Sequence, residues 1–215
     1  EAFLGGKLSR YMINGLIICV IKVPLGVFIE ALAAFAITRL KIWRPNLIFI
    51  FFLVGMMIPM QITLVPLNIG LSELKLINTY VGLIIVYLAF GIPLGILVLR
   101  GFFRTIPKEL DEAARIDGCS DFALFFRIIL RIARPAIATL LILDFLYTWN
   151  EFLLISVFIT DDRMRTVPAG LLSFFGEHGI NYGLLTAGVL VTISPVLIVY
   201  ICFQRFFVKG MAGAI

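Results

Sequence analysis

Five long apolar runs govern what this chain can become: 12–38, 47–67, 80–99, 135–158 and 184–207. A bilayer core takes about 20 mostly apolar residues per helix, so every run is long enough to cross one. The expected fold is all-α, a single polytopic transmembrane helical domain over 1–215 with five spans. Composition agrees, since 61% of residues are hydrophobic, 14% are charged and the mean hydropathy is +1.09, far from the balance of water-soluble domains. Pro24, Pro59, Pro93 and Pro195 fall inside the runs and predict kinks or breaks, whose freed backbone groups neighbouring helices must satisfy.

Charge placement sets the topology. The net charge of +5 is spread between apolar runs and forms no basic stripe, so it implies a membrane partner and no nucleic acid. One set of loops carries twelve Lys and Arg, namely Arg39, Lys41, Arg44, Arg100, Arg104, Lys108, Arg115, Arg127, Arg131, Arg134, Arg205 and Lys209. The opposite set carries five, Lys7, Arg10, Lys75, Arg163 and Arg165. The positive-inside rule then places the 100–134 loop and the C-terminus in the cytoplasm. It leaves the N-terminus outside with no signal sequence ahead of it, so a further span is expected upstream of Glu1, giving six in the intact protein. Cys19, Cys119 and Cys202 are widely separated and His178 is the only histidine, so no metal or thiol-redox spacing is present; the cysteines read as packing residues and His178 as an outer-loop residue.

The segment about 105–135 reads as two short helices around a glycine. Pro107 suits a first helical position, Glu109, Asp111 and Glu112 complement the positive end of the dipole, Arg115 falls in the last turn and Gly118 supplies a left-handed stop. Leu110, Ala113, Ala114 and Asp117 follow three- and four-residue steps, a narrow face of small side chains that a partner's groove could approach. Helix physics alone leaves a second reading open: an amphipathic segment at the headgroups, favoured by seven basic residues between Arg100 and Arg134 and by Phe122, Phe125 and Phe126.

The residues Glu112-Ala-Ala114, Asp117-Gly118, Phe126, Ile128, Leu130 and Pro135 resemble the EAA loop of ATP-binding-cassette importer permeases. Met57-Ile-Pro-Met-Gln61, Asn78-Thr-Tyr80, Trp149-Asn-Glu151, Arg165-Thr-Val-Pro168, Tyr182-Gly183 and Gln204 to Gly210 extend the resemblance over nearly the whole chain. They point to the carbohydrate-uptake branch that includes the smaller maltose permease. One departure is Arg131, where the family often has proline, which implies a less sharply fixed turn into the next span. The resemblance implies a bacterial inner-membrane, multi-pass permease that is not itself an enzyme. Its partners would be a second permease, two cytosolic ATPases carrying the ATP and magnesium, and an extracytoplasmic solute-binding protein. Glu112, Ala113, Ala114, Asp117 and Gly118 would form the coupling helix that docks on an ATPase; no cofactor or metal is expected in the chain itself.

Lys22, Glu30, Asp144 and Glu151 lie within or at the edges of apolar runs, where a charge at mid-bilayer costs about 3 kcal/mol or more. Lys22 and Glu30, eight residues apart on one helix, cannot pair directly. Gln61, Asp144, Tyr147, Trp149, Asn150 and Glu151 are candidates for a sugar pathway, the aromatic rings offering stacking faces; interhelical hydrogen bonding is the competing reading. An ion-coupled carrier or channel using Lys22, Glu30 and Asp144, or an importer of a non-sugar solute, are the alternative functions. No GxxxxGK[ST] occurs in the chain, so it has no P-loop for ATP.

Overall fold

Every apolar run becomes helical, but two of the five are interrupted. The computed structural model describes residues 7–171, 175–176, 179–180 and 182–212, with side chains described within 7–171, at 186 and over 188–202. The helices are α1 (Lys7–Arg39), α2 (Pro45–Met56), α3 (Met60–Glu73), α4 (Tyr80–Thr105), α5 (Glu109–Ile116), α6 (Asp121–Leu124), α7 (Leu130–Ile132), α8 (Arg134–Asn150), α9 (Leu153–Phe158), α10 (Val167–Leu171) and α11 (Tyr182–Ala212). A π-helical turn, Phe125–Ile129, joins α6 to α7, and a 3₁₀ turn, Asp162–Met164, precedes α10.

Among the described residues α1 and α4 are long and apolar enough to cross a membrane, and α2 with α3 adds a third crossing if the pair counts as one span. Pro59 ends the second run as a continuous helix: it is the extended N-cap of α3. Pro24, Pro93 and Pro195 sit inside unbroken helices. The 135–158 run stops after Asn150 and restarts at Leu153, a break with no proline to announce it. The all-helical class holds, with one small addition: a two-stranded antiparallel ribbon, β1 (Phe175–Gly176) and β2 (Gly179–Ile180), paired Phe175 to Ile180 and Gly176 to Gly179. His178 and the side chains of Arg205 and Lys209 lie outside the described residues.

The described residues divide into two compact units. One draws on Pro24–Ile58, Ala89–Ile142 and Phe203–Ile215. Its core joins Val27, Ala31, Ala34 and Phe35 of α1, Leu99 and Phe103 of α4, Ala114 of α5, and Leu124, Phe125 and Ile129 beyond it. The Phe125 ring lies 5.1 Å from that of Phe35 and 4.9 Å from that of Phe126. Phe125 belongs to a loop outside the apolar runs, so its burial removes ring surface from water and stabilises the loop by about 2 kcal/mol. At position 131 the helix continues, and the interruption before α8 is the single residue Ala133.

The other unit draws on Glu1–Val23, Pro59–Leu88 and Leu143–Cys202. Tyr11, Ile18, Leu83, Val86, Leu154, Ile155 and Phe158 are buried in it. Asn78, held at φ 56°, ties its loops together. Its Oδ1 accepts from the Thr160 and Asp161 amides at 2.6 and 3.1 Å, and its own N–H donates to Phe158 O at 3.0 Å. Asparagine is among the few non-glycine residues that tolerate this conformation. Of the cysteines, Cys19 is buried and Cys119 partly so, while Cys202 is exposed, which corrects the reading of all three as packing residues.

Gly95 marks the closest helix approach in the first of these units. A Cβ there would overlap the carboxylate of Glu30, which is 2% exposed. Gly95→Ala should therefore lower stability by about 1–3 kcal/mol, the cost of overpacking, measured as an earlier thermal unfolding midpoint in detergent. An unchanged midpoint would show that the approach is not tight.

Candidate functional site

The 105–135 segment is built around one buried guanidinium. Arg39, the last residue of α1, has a side chain only 2% exposed. Its Nη1 donates to Asp111 Oδ2 at 2.9 Å, and its Nη2 donates to the carbonyls of Phe103 and Ile106, the latter at 2.7 Å. Those carbonyls lie in the last turn of α4 and just past its end, where a helix leaves acceptors short of intrahelical donors. A cation there also complements the negative end of the dipole. One side chain thus fixes the end of α1, the end of α4 and α5 together.

Pro107 does not take the first helical position: α5 starts at Glu109 with Lys108 as N-cap. The amides of Asp111 and Glu112 both donate to Lys108 O, which leaves Pro107 before the cap, where its missing N–H costs nothing. Glu109, Asp111 and Glu112 occupy the first turn and Arg115 the last, as the dipole requires. Gly118 has φ +79°, and the Cys119 amide donates to Ala114 O at 2.9 Å, so the left-handed stop is present. Arg115 then pairs with Asp121 at 2.8 Å, and Ser120 Oγ accepts from the Ala123 amide to cap α6.

The five coupling candidates do not share one face. Ala114 turns inward to the core and Asp111 inward to Arg39. Glu112, Ala113, Asp117 and Gly118 face outward with Leu110 and Ile116, which are 42% and 86% exposed. The outward surface is therefore Leu110, Ala113, Ile116 and Asp117, with Ala114 setting how closely α5 lies on its own core.

The candidates for a solute pathway separate in a similar way. Lys22 Nζ donates to Asp144 Oδ1 in a buried ion pair, side chains 0% and 8% exposed, so Asp144 is neutralised. Glu151 closes the break in the 135–158 run. Its Oε1 accepts from the Leu154 amide at 2.8 Å, its Oε2 accepts from the Ile155 amide at 3.1 Å, and Tyr87 donates to the same Oε2 at 2.7 Å. Those amides are the second and third of α9, in its first turn, and would otherwise have no intrahelical acceptor. Trp149 is buried: Phe145 stacks on it at 5.9 Å, a Cβ on Gly15 would lie 3.1 Å from its ring, and Nε1 donates to Thr192 O at 3.3 Å. Gln61, Tyr147 and Asn150 remain accessible. Asn150 and Trp149 border a cavity of about 340 Å³ completed by Thr192 and apolar residues of α10 and α11; Gln61 is not among its lining.

Beyond the start of α1, Tyr11 donates to Asp162 at 2.8 Å, and Asn14 donates to the carbonyls of Arg163 and Arg165 at 2.9 and 2.8 Å. The Tyr11 hydrogen bond, aided by Lys7 and Arg165, holds the Asp162 carboxyl below the usual carboxylate range.

Residues 22–213 match the family of binding-protein-dependent transport system inner membrane components. The chain belongs to that family. It is 38% identical over 206 residues to the "Probable ABC transporter permease protein YurM" of Bacillus subtilis, covering 96% of this chain and 69% of that one. It is 35% identical over 207 residues to the diacetylchitobiose uptake system permease protein NgcG of Streptomyces coelicolor, covering 95% of this chain and 68% of the relative. Its fold is that of a chain in the crystal structure of a bacterial ABC transporter involved in alginate import, with TM-score 0.81, 21% identity, and 94% of this chain and 75% of that chain covered. Membership and the apolar helices make this a multi-pass inner-membrane permease.

Several organising residues of this inner membrane component escape a linear reading. Arg39 counts only as a loop charge by sequence, and Asp111 only as a dipole complement. Lys22 and Asp144 were legible as a pair in principle, being opposite charges deep in two different runs. Lys22→Met should cost about 3–5 kcal/mol, because it strands a buried carboxylate, whereas Lys22→Met with Asp144→Leu should return to within about 1 kcal/mol of the original. Thermal unfolding of the purified protein in detergent reads both. A double variant no more stable than the single would mean the pair is not the reason for the two charges.

Proposed function

We propose that this chain is one of two permease subunits of an ATP-driven importer that moves a carbohydrate into the cytoplasm by alternating access. The family match over residues 22–213 carries the reading, and the uptake system named for the diacetylchitobiose relative supports a sugar. The whole chain is one transmembrane domain in which α1, α2 with α3, α4, α8 with α9, and α11 make five crossings. The basic loops put the 105–135 segment and the C-terminus in the cytoplasm.

In this reading the outward side of α5, Leu110, Ala113, Ile116 and Asp117 with Glu112 and the Gly118 turn, docks on a cytosolic ATPase that binds the ATP and magnesium. Exposed apolar side chains on a short, polar, loop-borne helix are otherwise unfavourable. Closure of two ATPases would push α5, and the Arg39 junction would pass that displacement to the ends of α1 and α4. A loaded extracytoplasmic binding protein must favour the same state as ATP, since a ligand with equal affinity for both conformations shifts nothing. Gln61, Tyr147 and Asn150 are the pathway candidates with accessible polar groups. The neutralised Lys22–Asp144 pair disfavours the ion-coupled carrier, which needs a charge free to bind its ion.

The test is co-purification of the full-length protein with the products of neighbouring genes, then ATPase assay in lipid with and without sugar-loaded binding protein. An associated ATPase stimulated by the loaded protein supports the importer; no associated ATPase contradicts it. A Cβ at Gly118 meets nothing within 4 Å, but its φ of +79° is one that a side chain strains, so Gly118→Asp should still insert in the membrane yet distort the turn that ends α5 and lower uptake about tenfold. Full uptake by that variant would remove Gly118 from the coupling role.

A further inference from the structure

A cavity of about 330 Å³ lies among the ends of α1 and α4 and the first turn of α2, lined by Thr38, Arg39, Asn46, Arg100, Arg104 and Lys108 together with two isoleucines. Its charge is unbalanced. Arg39 is matched by Asp111, but among the described residues no carboxylate pairs with Arg100, Arg104 or Lys108. Arg100 is already positioned: its guanidinium lies 3.7 Å from the centroid of the Phe49 ring, and Nη2 donates to Asn46 Oδ1 at 2.9 Å. Arg104 stands one turn further along the same face of α4. The first turn of α2 borders the cavity through Asn46, so the positive end of that helix dipole adds to the same field.

The surroundings identify the occupant. Beyond the first turn that lines the cavity, α2 exposes Leu47, Ile50 and Phe51, the last 74% exposed, and α4 exposes Leu94 and Leu97 ahead of Arg100, a surface suited to acyl chains. Trp43, 80% exposed with Arg44 over its ring at 4.8 Å, has the amphipathic character of residues at the headgroup level. Basic groups therefore meet exposed apolar helix surface at one place, where a phospholipid presents its phosphate.

We propose that this cavity binds the phosphate headgroup of an anionic phospholipid, held by Arg100, Arg104 and Lys108, with its acyl chains along α2. Guanidinium forks match phosphate oxygens in bidentate geometry, and basic pockets between spans on the cytoplasmic side suit such headgroups. The inference rests on the proposed orientation, which puts the cavity on the cytoplasmic side, and does not depend on what the chain transports.

Native mass spectrometry of the full-length protein, delipidated with its partner subunits, can count bound phosphatidylglycerol against phosphatidylcholine and inorganic phosphate. Retention of phosphatidylglycerol over phosphatidylcholine is expected, with no displacement by equimolar phosphate. Arg100→Ala with Arg104→Ala should weaken retention roughly thirtyfold, two basic contacts being lost, and the corresponding pair of lysine substitutions should restore most of it. Equal retention of both lipids, displacement by phosphate, or unchanged retention in the alanine pair would overturn the site. So would loss of a partner subunit from the alanine pair with lipid binding intact, which would make the cavity a protein interface. A photoactivatable phosphatidylglycerol on the unmodified protein gives a reading independent of any variant's folding: labelling near Asn46 and Arg104 supports the proposal, and labelling only elsewhere refutes it.

Discussion

Inside a bilayer no water reaches a backbone amide or carbonyl, so the groups freed at a break in a helix need partners within the protein, from backbone or side chain. That constraint accounts for several of the buried polar residues in this chain. Glu151 accepts two amides in the first turn of α9 and is itself held by Tyr87. Arg39 supplies donors to the carbonyls ending α4. Asn78 serves a loop in the same way outside the apolar runs, taking up the amides of Thr160 and Asp161. Each group costs several kcal/mol if left alone in an apolar setting, so these polar residues are structural before they are anything else.

The same constraint narrows the functional reading. Asp144, Trp149 and Glu151 are occupied in holding helices together, and a residue committed in that way has little left for a passing solute. The accessible amides and hydroxyl of Gln61, Asn150 and Tyr147 carry no such commitment beyond the bond from Asn150 to Leu146 O. At the other end of the argument, α5 is held from beneath by Asp111 and Ala114 and open above at Leu110, Ala113 and Ile116. A short helix fixed on one face and unpartnered on the other can receive a push and pass it on.

Much of this was legible in the residues themselves. The apolar runs gave the helical class, and the acidic first turn, Arg115 and Gly118 defined α5 to within two residues of Pro107. The break at Pro59 is of a kind that proline permits, although Pro24, Pro93 and Pro195 leave their helices unbroken. The break at Glu151 has no such local mark, because it depends on Tyr87 being brought to a residue 64 positions away. Likewise Ala114 reads as part of an exposed small-residue face until Arg39 draws Asp111, one turn before it, inward. What the sequence hid was long-range pairing: periodicity shows which side chains share a face, while the partner across the fold decides which face is covered.

The most direct test is whether α5 touches an ATPase on the side predicted. In the co-expressed complex, with Cys19, Cys119 and Cys202 replaced by serine, single cysteines at Ala113 and at Ala114 would be paired by oxidation with cysteines introduced into the partner ATPase. The account predicts a cross-link from position 113, which faces outward, and none from position 114, which is 5% exposed. Cross-linking absent from both positions, or found only at 114, would contradict it.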